Sequence, residues 1–264
     1  MGVCLAQGDH AKRQKVAVWK RSRNRQFHVF IIRGQAFFLA ASRPTLRQDM
    51  REASRHPKIG PSTTGMAVLG GSFNPPHRTH ITLAREALAR LPINQLRAIP
   101  SGDHPHKRGG DMAPAPNRLE MTRLAFSQMP GVHVDDRELH RSGPSYTVDT
   151  LAELAEEAPG AQIFFLIGSD NLPLLPSWHQ HHRLLQLATV VTFPRKGYPI
   201  TADSLLGLDL TPTERESLLT NMLDLPADEV SASDLRARWR NGERSLAELP
   251  ATVTDYLLQH DLYR

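Results

Sequence analysis

The sequence predicts an α/β fold, a parallel sheet flanked by helices, with a small helical subdomain towards the C-terminus. Three observations carry this reading. From Met66 onward, short apolar runs alternate with amphipathic stretches, the pattern of strands fed by crossover helices. The first apolar run ends in Gly70-Gly71, a turn that leads directly into a helical pattern. The chain then closes on two stretches of helical period, residues 235–240 and 253–260.

Taken in order, residues 67–69 form a short apolar strand and residues 81–91 an amphipathic helix that opens near His80. Residues 96–99 and 132–134 are short apolar runs on either side of the amphipathic stretch 119–129. A helix opens at Ser145-Tyr146-Thr147 and continues through Leu154. Residues 163–167 are apolar without a break, which suits a strand covered on both faces. A further strand spans residues 188–193, followed by a less regular region.

A chain of 264 residues, 40% apolar, can bury one good core and a second small one. The single cysteine, Cys4, cannot form an internal disulfide, and no Cys and His set has zinc-finger spacing. A reducing, cytoplasmic compartment suits that composition. The longest apolar run, residues 27–41, is interrupted by Arg33 and Gly34 and falls short of the ~20 residues that span a bilayer. Net charge is +5, but residues 1–65 hold 13 Lys and Arg against 3 Asp and Glu, a net +10. Residues 66–264 carry 19 basic and 24 acidic side chains, a net −5, which argues against a nucleic-acid surface on the folded part. Residues 1–65 are expected to be a basic, disordered arm, a targeting peptide, or sequence upstream of the true start. The last reading is preferred because Met66 stands directly before the first strand.

The chemistry starts at Gly70-Gly71-Ser72-Phe73-Asn74-Pro75-Pro76-His77. Glycines after a first strand let backbone amides approach an anion, and the following helix start adds partial positive charge. Neither the dinucleotide fingerprint nor the P-loop is present, and a Gly-Gly pair alone can be a plain turn. His77 and His80 change the weighting, since two imidazoles three residues apart at a helix opening can face one ligand. They can neutralise charge building on a transferring phosphate without a covalent intermediate. Capping, solvation or a two-histidine metal site are the alternatives for these side chains.

The run from Gly70 to His80 resembles the signature of the adenylyltransferases of the nucleotidyltransferase superfamily, with His77-Arg78-Thr79-His80 as its two-histidine motif. In particular it is similar to the bacterial nicotinate-nucleotide adenylyltransferases. The resemblance continues through Ile99-Pro100 with Pro105-His106-Lys107, Ser145-Tyr146-Thr147 with Thr150-Leu151, Ile167-Gly168-Ser169-Asp170, Trp178, Arg195-Lys196-Gly197 and Val230-Ser231-Ala232-Ser233 through Arg236. It covers nearly all of residues 67–264, and it departs from the family at Thr79, usually glycine, and at Asn74, commonly aspartate. A Cβ at Thr79 is expected to set the helix start slightly farther from the phosphates.

That resemblance implies a Rossmann-like, doubly wound sheet of nucleotidyltransferase type, with residues 66–264 as the catalytic domain. It implies transfer of AMP from ATP to nicotinate mononucleotide, giving deamido-NAD and pyrophosphate, by in-line attack at the α-phosphorus. His77, His80 and Arg236 are the implied catalytic residues. ATP is expected at Gly70, Gly71, Ser72, Phe73, Gly168, Asp170, Arg195, Ser231 and Ser233 as well as at those three. The mononucleotide is expected at His106, Lys107, the amides of Thr147 and Val148, and the ring of Trp178. No carboxylate cluster for a protein-held metal is evident, so Mg²⁺ is expected to arrive with ATP. His179, His181 and His182 read as solvated rather than metal-bound.

Oligomeric state is not legible. Competing readings are an adenylyltransferase for nicotinamide mononucleotide or phosphopantetheine, and a protein that binds nucleotide without turnover. A serine hydrolase is disfavoured because neither Ser72 nor Ser145 sits in a Gly-x-Ser-x-Gly elbow.

Overall fold

The computed structural model describes residues 27–32, 35–40, 65–102, 112–227 and 229–264. The chain divides into two units, Met1–Ile59 and Gly60–Arg264. In the first, β1 (Phe27–Ile32) and β2 (Gln35–Ala40) pair antiparallel, Phe27 opposite Ala40 and Ile32 opposite Gln35.

The second unit runs β3 (Gly65–Gly71), α1 (Arg78–Arg90), β4 (Ile93–Pro100), α2 (Ala115–Phe126), β5 (Val132–Val134), α3 (Thr147–Glu157), β6 (Ile163–Gly168), α4 (His181–Leu187), β7 (Thr189–Phe193), α5 (Pro212–Thr220), α6 (Ala232–Arg240) and α7 (Ala251–Gln259). Tighter 3₁₀ turns lie at Arg137–His140, Ser169–Ser177 and Asp203–Leu205. Five parallel strands form one sheet in the order β5-β4-β3-β6-β7. The chain moves outward from β3 to β5, returns to the other side of β3 with β6, and moves outward again to β7. The strand order therefore reverses between β3 and β6, and the loops leaving those two strands diverge to open a crevice at their carboxyl ends.

All residues of β6 are buried, as its unbroken apolar run requires. Met66 and Val68 of β3 and Ile163, Phe165 and Ile167 of β6 join Val148, Leu151 and Leu154 of α3 and Leu184 of α4 in the main core. The alternation along both strands sends this set to one face. A second, smaller core joins Met121 of α2 to Leu235 and Trp239 of α6, Leu246, Leu249, and Val253 and Leu257 of α7. The C-terminal helices are thus closed by a helix of the sheet domain, and the Trp239 indole N–H donates to the Leu262 carbonyl at 3.0 Å.

Two expectations about elements change. α2 begins four residues before position 119, because Pro116 lies in its first turn, where proline's missing N–H costs nothing. The less regular region beyond β7 contains α5, whose first turn is closed by the Thr211 hydroxyl and the Glu214 carboxylate. No helix among the described residues is long and apolar enough to cross a membrane.

Candidate active site

The crevice at the ends of β3 and β6 is a cleft of about 630 Å³. Gly70 and Gly71 at the end of β3 and Gly168 at the end of β6 line it. So do three helix openings: His77 at the start of α1, Thr147 at the start of α3, and Ser231 and Ala232 at the start of α6. Each opening adds the partial positive charge of a helix start to the same space, although at α1 the Arg78 amide is taken by the Glu248 carbonyl and the His80 amide by the His77 carbonyl.

Between β3 and α1 the chain turns sharply at Phe73, which holds φ 43° without being glycine. Its ring is buried against His80, with centroids 4.8 Å apart, and against Phe126 at 6.1 Å. Phe73, expected at ATP, does not line the cleft; its ring instead supports His80 from behind. His80 Nδ1 accepts the backbone N–H of His77 at 3.2 Å, which fixes the ring proton on Nε2. Nε2 stands beside the floor of the cleft, 3.9 Å from where a Cβ on Gly71 would lie. The two imidazole centroids are 4.1 Å apart. Burial, reinforced by Arg195 and Arg78, lowers the His77 pKa to about 3, so this ring is neutral at physiological pH. Thr79 is buried in the cleft wall, and α1 still opens at Arg78, whose N–H donates to the Glu248 carbonyl at 2.8 Å.

The histidine loop is gripped from outside the cleft. Arg118 donates to the Ser72 carbonyl at 3.0 Å, and Arg236 donates to the Asn74 carbonyl at 2.8 Å. The buried Asn74 Oδ1 accepts the Ala113 N–H at 2.9 Å and the Tyr263 hydroxyl at 2.6 Å. Arg236 was expected to reach phosphate. Here its Nη1 donates to the Asn74 carbonyl, which ties α6 to the histidine loop; the residue does not line the cleft, and its buried Nε has no hydrogen-bond partner among the described residues.

On the facing side, the Ser231 hydroxyl caps α6 by accepting the Asp234 N–H at 3.1 Å and lies 2.9 Å from the Ser233 hydroxyl. Ser231 lines the cleft and Ser233 does not. Among the described residues, Arg195 is the Lys or Arg side chain that does. Its backbone N–H donates to Ser169 Oγ at 2.8 Å and its guanidinium to the Val230 carbonyl at 3.1 Å, next to Ser231. A Cβ at Gly168 would lie 2.3 Å from Asp170 Oδ1 and 3.1 Å from Arg195 Cγ, so a larger residue there would displace both cleft side chains. Asp170 lines the cleft with Oδ1 3.9 Å from Arg195 Nε.

At the other end, Thr147 and Trp178 both line the cleft, and the Trp178 ring meets Phe165 at 6.1 Å, steeply tilted. Val148 is buried in the main core, which leaves only its backbone amide for a ligand. His106 and Lys107 lie outside the described residues. The sequence reading missed a polar cluster beneath this end. Thr150 Oγ1 donates to Glu138 at 2.7 Å, and Arg141 donates to Ser145 Oγ at 2.8 Å and Thr150 Oγ1 at 2.7 Å while pairing with Glu153 at 2.7 Å. Gly102 is pressed against it, since a Cβ there would lie 2.2 Å from the Glu138 carbonyl. Only the short spacing between Arg141, Ser145 and Thr150 hinted at such a cluster.

His181 departs from the solvated reading, whereas the His182 side chain stays partly exposed. His181 is buried with its Nε2 2.9 Å from the Asp209 carbonyl, and His182 Nδ1 lies 2.9 Å from Glu214. His179 packs its ring on Tyr146 at 4.3 Å.

The described cleft residues include two carboxylates, Glu138 and Asp170. Glu138 accepts from Thr150, and Asp170 faces Arg195. This is not the oxygen cage of a resident hard cation; it fits a divalent ion carried in by the oxygens of a triphosphate and by water.

Residues 68–238 match the cytidylyltransferase-like family. A probable nicotinate-nucleotide adenylyltransferase of Albidiferax ferrireducens is 40% identical over 200 residues, 75% of this chain and 98% of that protein. Proteins of the same description from Dehalococcoides mccartyi and Aeromonas salmonicida are 37% and 38% identical, over 74% and 75% of this chain and 95% and 97% of theirs. Among solved structures, the nicotinic acid mononucleotide adenylyltransferase of Plasmodium falciparum complexed with NaAD superposes with a TM-score of 0.60. The match covers 76% of this chain and 97% of that one at 16% identity, a likeness of fold.

Proposed function

The chain belongs to the cytidylyltransferase-like family, alongside the nicotinate-nucleotide adenylyltransferases, and from that premise we propose that it transfers the AMP moiety of ATP to nicotinate mononucleotide. The products are deamido-NAD and pyrophosphate, and residues 66–264 carry the activity. The observation that carries this reading most directly is the convergence of three helix openings, the histidine pair and Arg195 on one cleft.

A phosphate oxygen of the mononucleotide attacks the α-phosphorus in line. The bond from that phosphorus to the bridging oxygen breaks, and pyrophosphate leaves with the electron pair. No protein nucleophile takes part. The Nε2–H of His80, fixed in its tautomer by the His77 amide, donates to the α-phosphate oxygens as their charge grows. His77, neutral through burial, adds a second donor without attracting a proton from solvent. Arg195 and the first amides of α6 hold the outer phosphates, while Arg236 and Arg118 keep the histidine loop in place from outside. Mg²⁺ bound to the triphosphate supplies further charge neutralisation there.

The pyridine ring stacks on Trp178, and its carboxylate sits at the opening of α3, where the Thr147 and Val148 amides point. That opening has no side-chain cap of its own, so its N–H groups remain available to the substrate. Charge at a helix start favours the acid over the amide form of the acceptor.

Labelled ATP tests the reaction. With nicotinate mononucleotide present, an α-phosphate label is expected in the dinucleotide and a γ-phosphate label in pyrophosphate. Release of label at the same rate without the acceptor would overturn the proposal.

A further inference from the structure

His181 and His182 open α4, three and four residues after Trp178, and face a loop that precedes α5. His181 Nε2 lies 3.8 Å and His182 Nε2 3.7 Å from the same Asp209 carboxylate oxygen. One ligand atom from each of the three residues falls within 4.8 Å of the others, the only such group among the described residues. None of the three lines the nucleotide cleft.

Three details give this cluster the build of a cation site. First, His182 Nδ1 is engaged by Glu214 at 2.9 Å, and Glu214 is itself held by the Thr211 backbone N–H at 2.7 Å. Nε2 of the same ring lies 3.7 Å from the Asp209 carboxylate. Without a cation the two carboxylates, Glu214 foremost, favour the protonated ring, so a metal would take the place of the Nε2 proton between them. A carboxylate behind a ring is also the usual outer support of a metal-bound histidine. Second, His181 is buried and its neighbour ring lies 3.9 Å away, centroid to centroid, so neither imidazole swings freely. Third, Asp209 is exposed but its backbone is pinned. Leu210 is buried and Leu208 packs against the main core.

From this arrangement we propose that His181, His182 and Asp209 bind a single zinc-class divalent ion that fastens the Trp178 segment to the loop before α5. Two imidazoles and one carboxylate suit Zn²⁺, with bonds of about 2.0–2.2 Å and ligand atoms roughly 3.3 Å apart in a tetrahedron. The Asp209 distances are a few tenths of an ångström longer, and rotation of its exposed side chain closes that gap. His181 Nε2 now sits 2.9 Å from the Asp209 carbonyl, so metal binding places the ring proton on Nδ1 and leaves that carbonyl as a further oxygen donor. This site is independent of the triphosphate-borne Mg²⁺.

The test uses chelator-treated full-length chain titrated with Co²⁺ alone, then with Zn²⁺. One tetrahedral Co²⁺ spectrum is expected, lost on addition of one equivalent of Zn²⁺. His182→Gln and Asp209→Asn should each weaken Zn²⁺ binding at least about tenfold. His133→Gln, on β5, should not. Zn²⁺ should raise the melting temperature of the wild type and not of Asp209→Asn, which decides the matter if His182→Gln folds poorly. A tetrahedral spectrum that persists in Asp209→Asn, or no Zn²⁺ binding tighter than about 100 μM, overturns the site.

Discussion

Replacing His80 separates the two jobs the structure gives its ring. Nδ1 accepts the His77 amide at 3.2 Å, and Nε2–H stands over the cleft floor beside Gly71. His80→Ala removes both. Loss of a preorganised donor to charge that develops only in the transition state costs ~2.7–4 kcal/mol, or about a hundredfold to a thousandfold in kcat. Loss of the hydrogen bond to the His77 N–H costs ~0.5–1.5 kcal/mol of stability, a fall of a few degrees in Tm at this size. His80→Asn places an amide oxygen near the position of Nδ1, so it should keep most of the stability and little of the turnover. His80→Gln places an amide N–H near Nε2, so it should recover part of the turnover and little of the stability. Steady-state kinetics with both substrates, ATP binding measured without the acceptor, and thermal melts of the four proteins give the comparison. If His80→Ala turned over at the wild-type rate, or lost only ATP affinity, the ring would be a binding element and the catalytic assignment would move to Arg195 or the metal.

Because burial lowers the His77 pKa from 6.5 to about 3, the unfolded chain binds one more proton than the folded one between those values. Stability should therefore fall as pH drops from about 6.5 to 3, by up to roughly 4–5 kcal/mol from this group, and denaturant melts of His77→Gln should show a flatter acid limb than the wild type. Arg236→Ala strips a charged donor from the Asn74 carbonyl, worth ~1.5–3 kcal/mol, and should slow turnover and lower Tm together, whereas an effect confined to ATP KM would mean that the side chain reaches phosphate. Trp178→Ala should weaken mononucleotide binding by ~1–3 kcal/mol and leave ATP binding nearly intact, as read by calorimetry with each substrate; a loss on the ATP side would move the ring to the other half of the cleft.

The sheet was legible because its strands are unbroken apolar runs such as Ile163–Gly168, and because Gly70-Gly71 marks the end of β3. The site was legible where backbone makes it, at the openings of α1, α3 and α6. Long side chains were harder, since their partners come from distant segments. Nothing in the sequence says that Arg236 ends on Asn74, 162 residues away, or that Phe73 turns its ring under His80. Pro173 and Pro176 break helical period in Ser169–Ser177, which hides the 3₁₀ run that holds them both. α5 was legible in principle. Thr211, Pro212 and Glu214 spell a capped helix start, and the polar sequence behind them hid it. The His181–Asp209 pairing crosses 28 residues and depends on Leu208 and Leu210 fixing the loop between them.

The central claim concerns the acceptor, and it is tested most directly by specificity constants for nicotinate and nicotinamide mononucleotides with MgATP, following dinucleotide by mass. A carboxylate held at the opening of α3 predicts a preference for the acid of at least about tenfold, ~1.4 kcal/mol. Equal specificity for the amide, or dinucleotide formed from neither, would contradict the account.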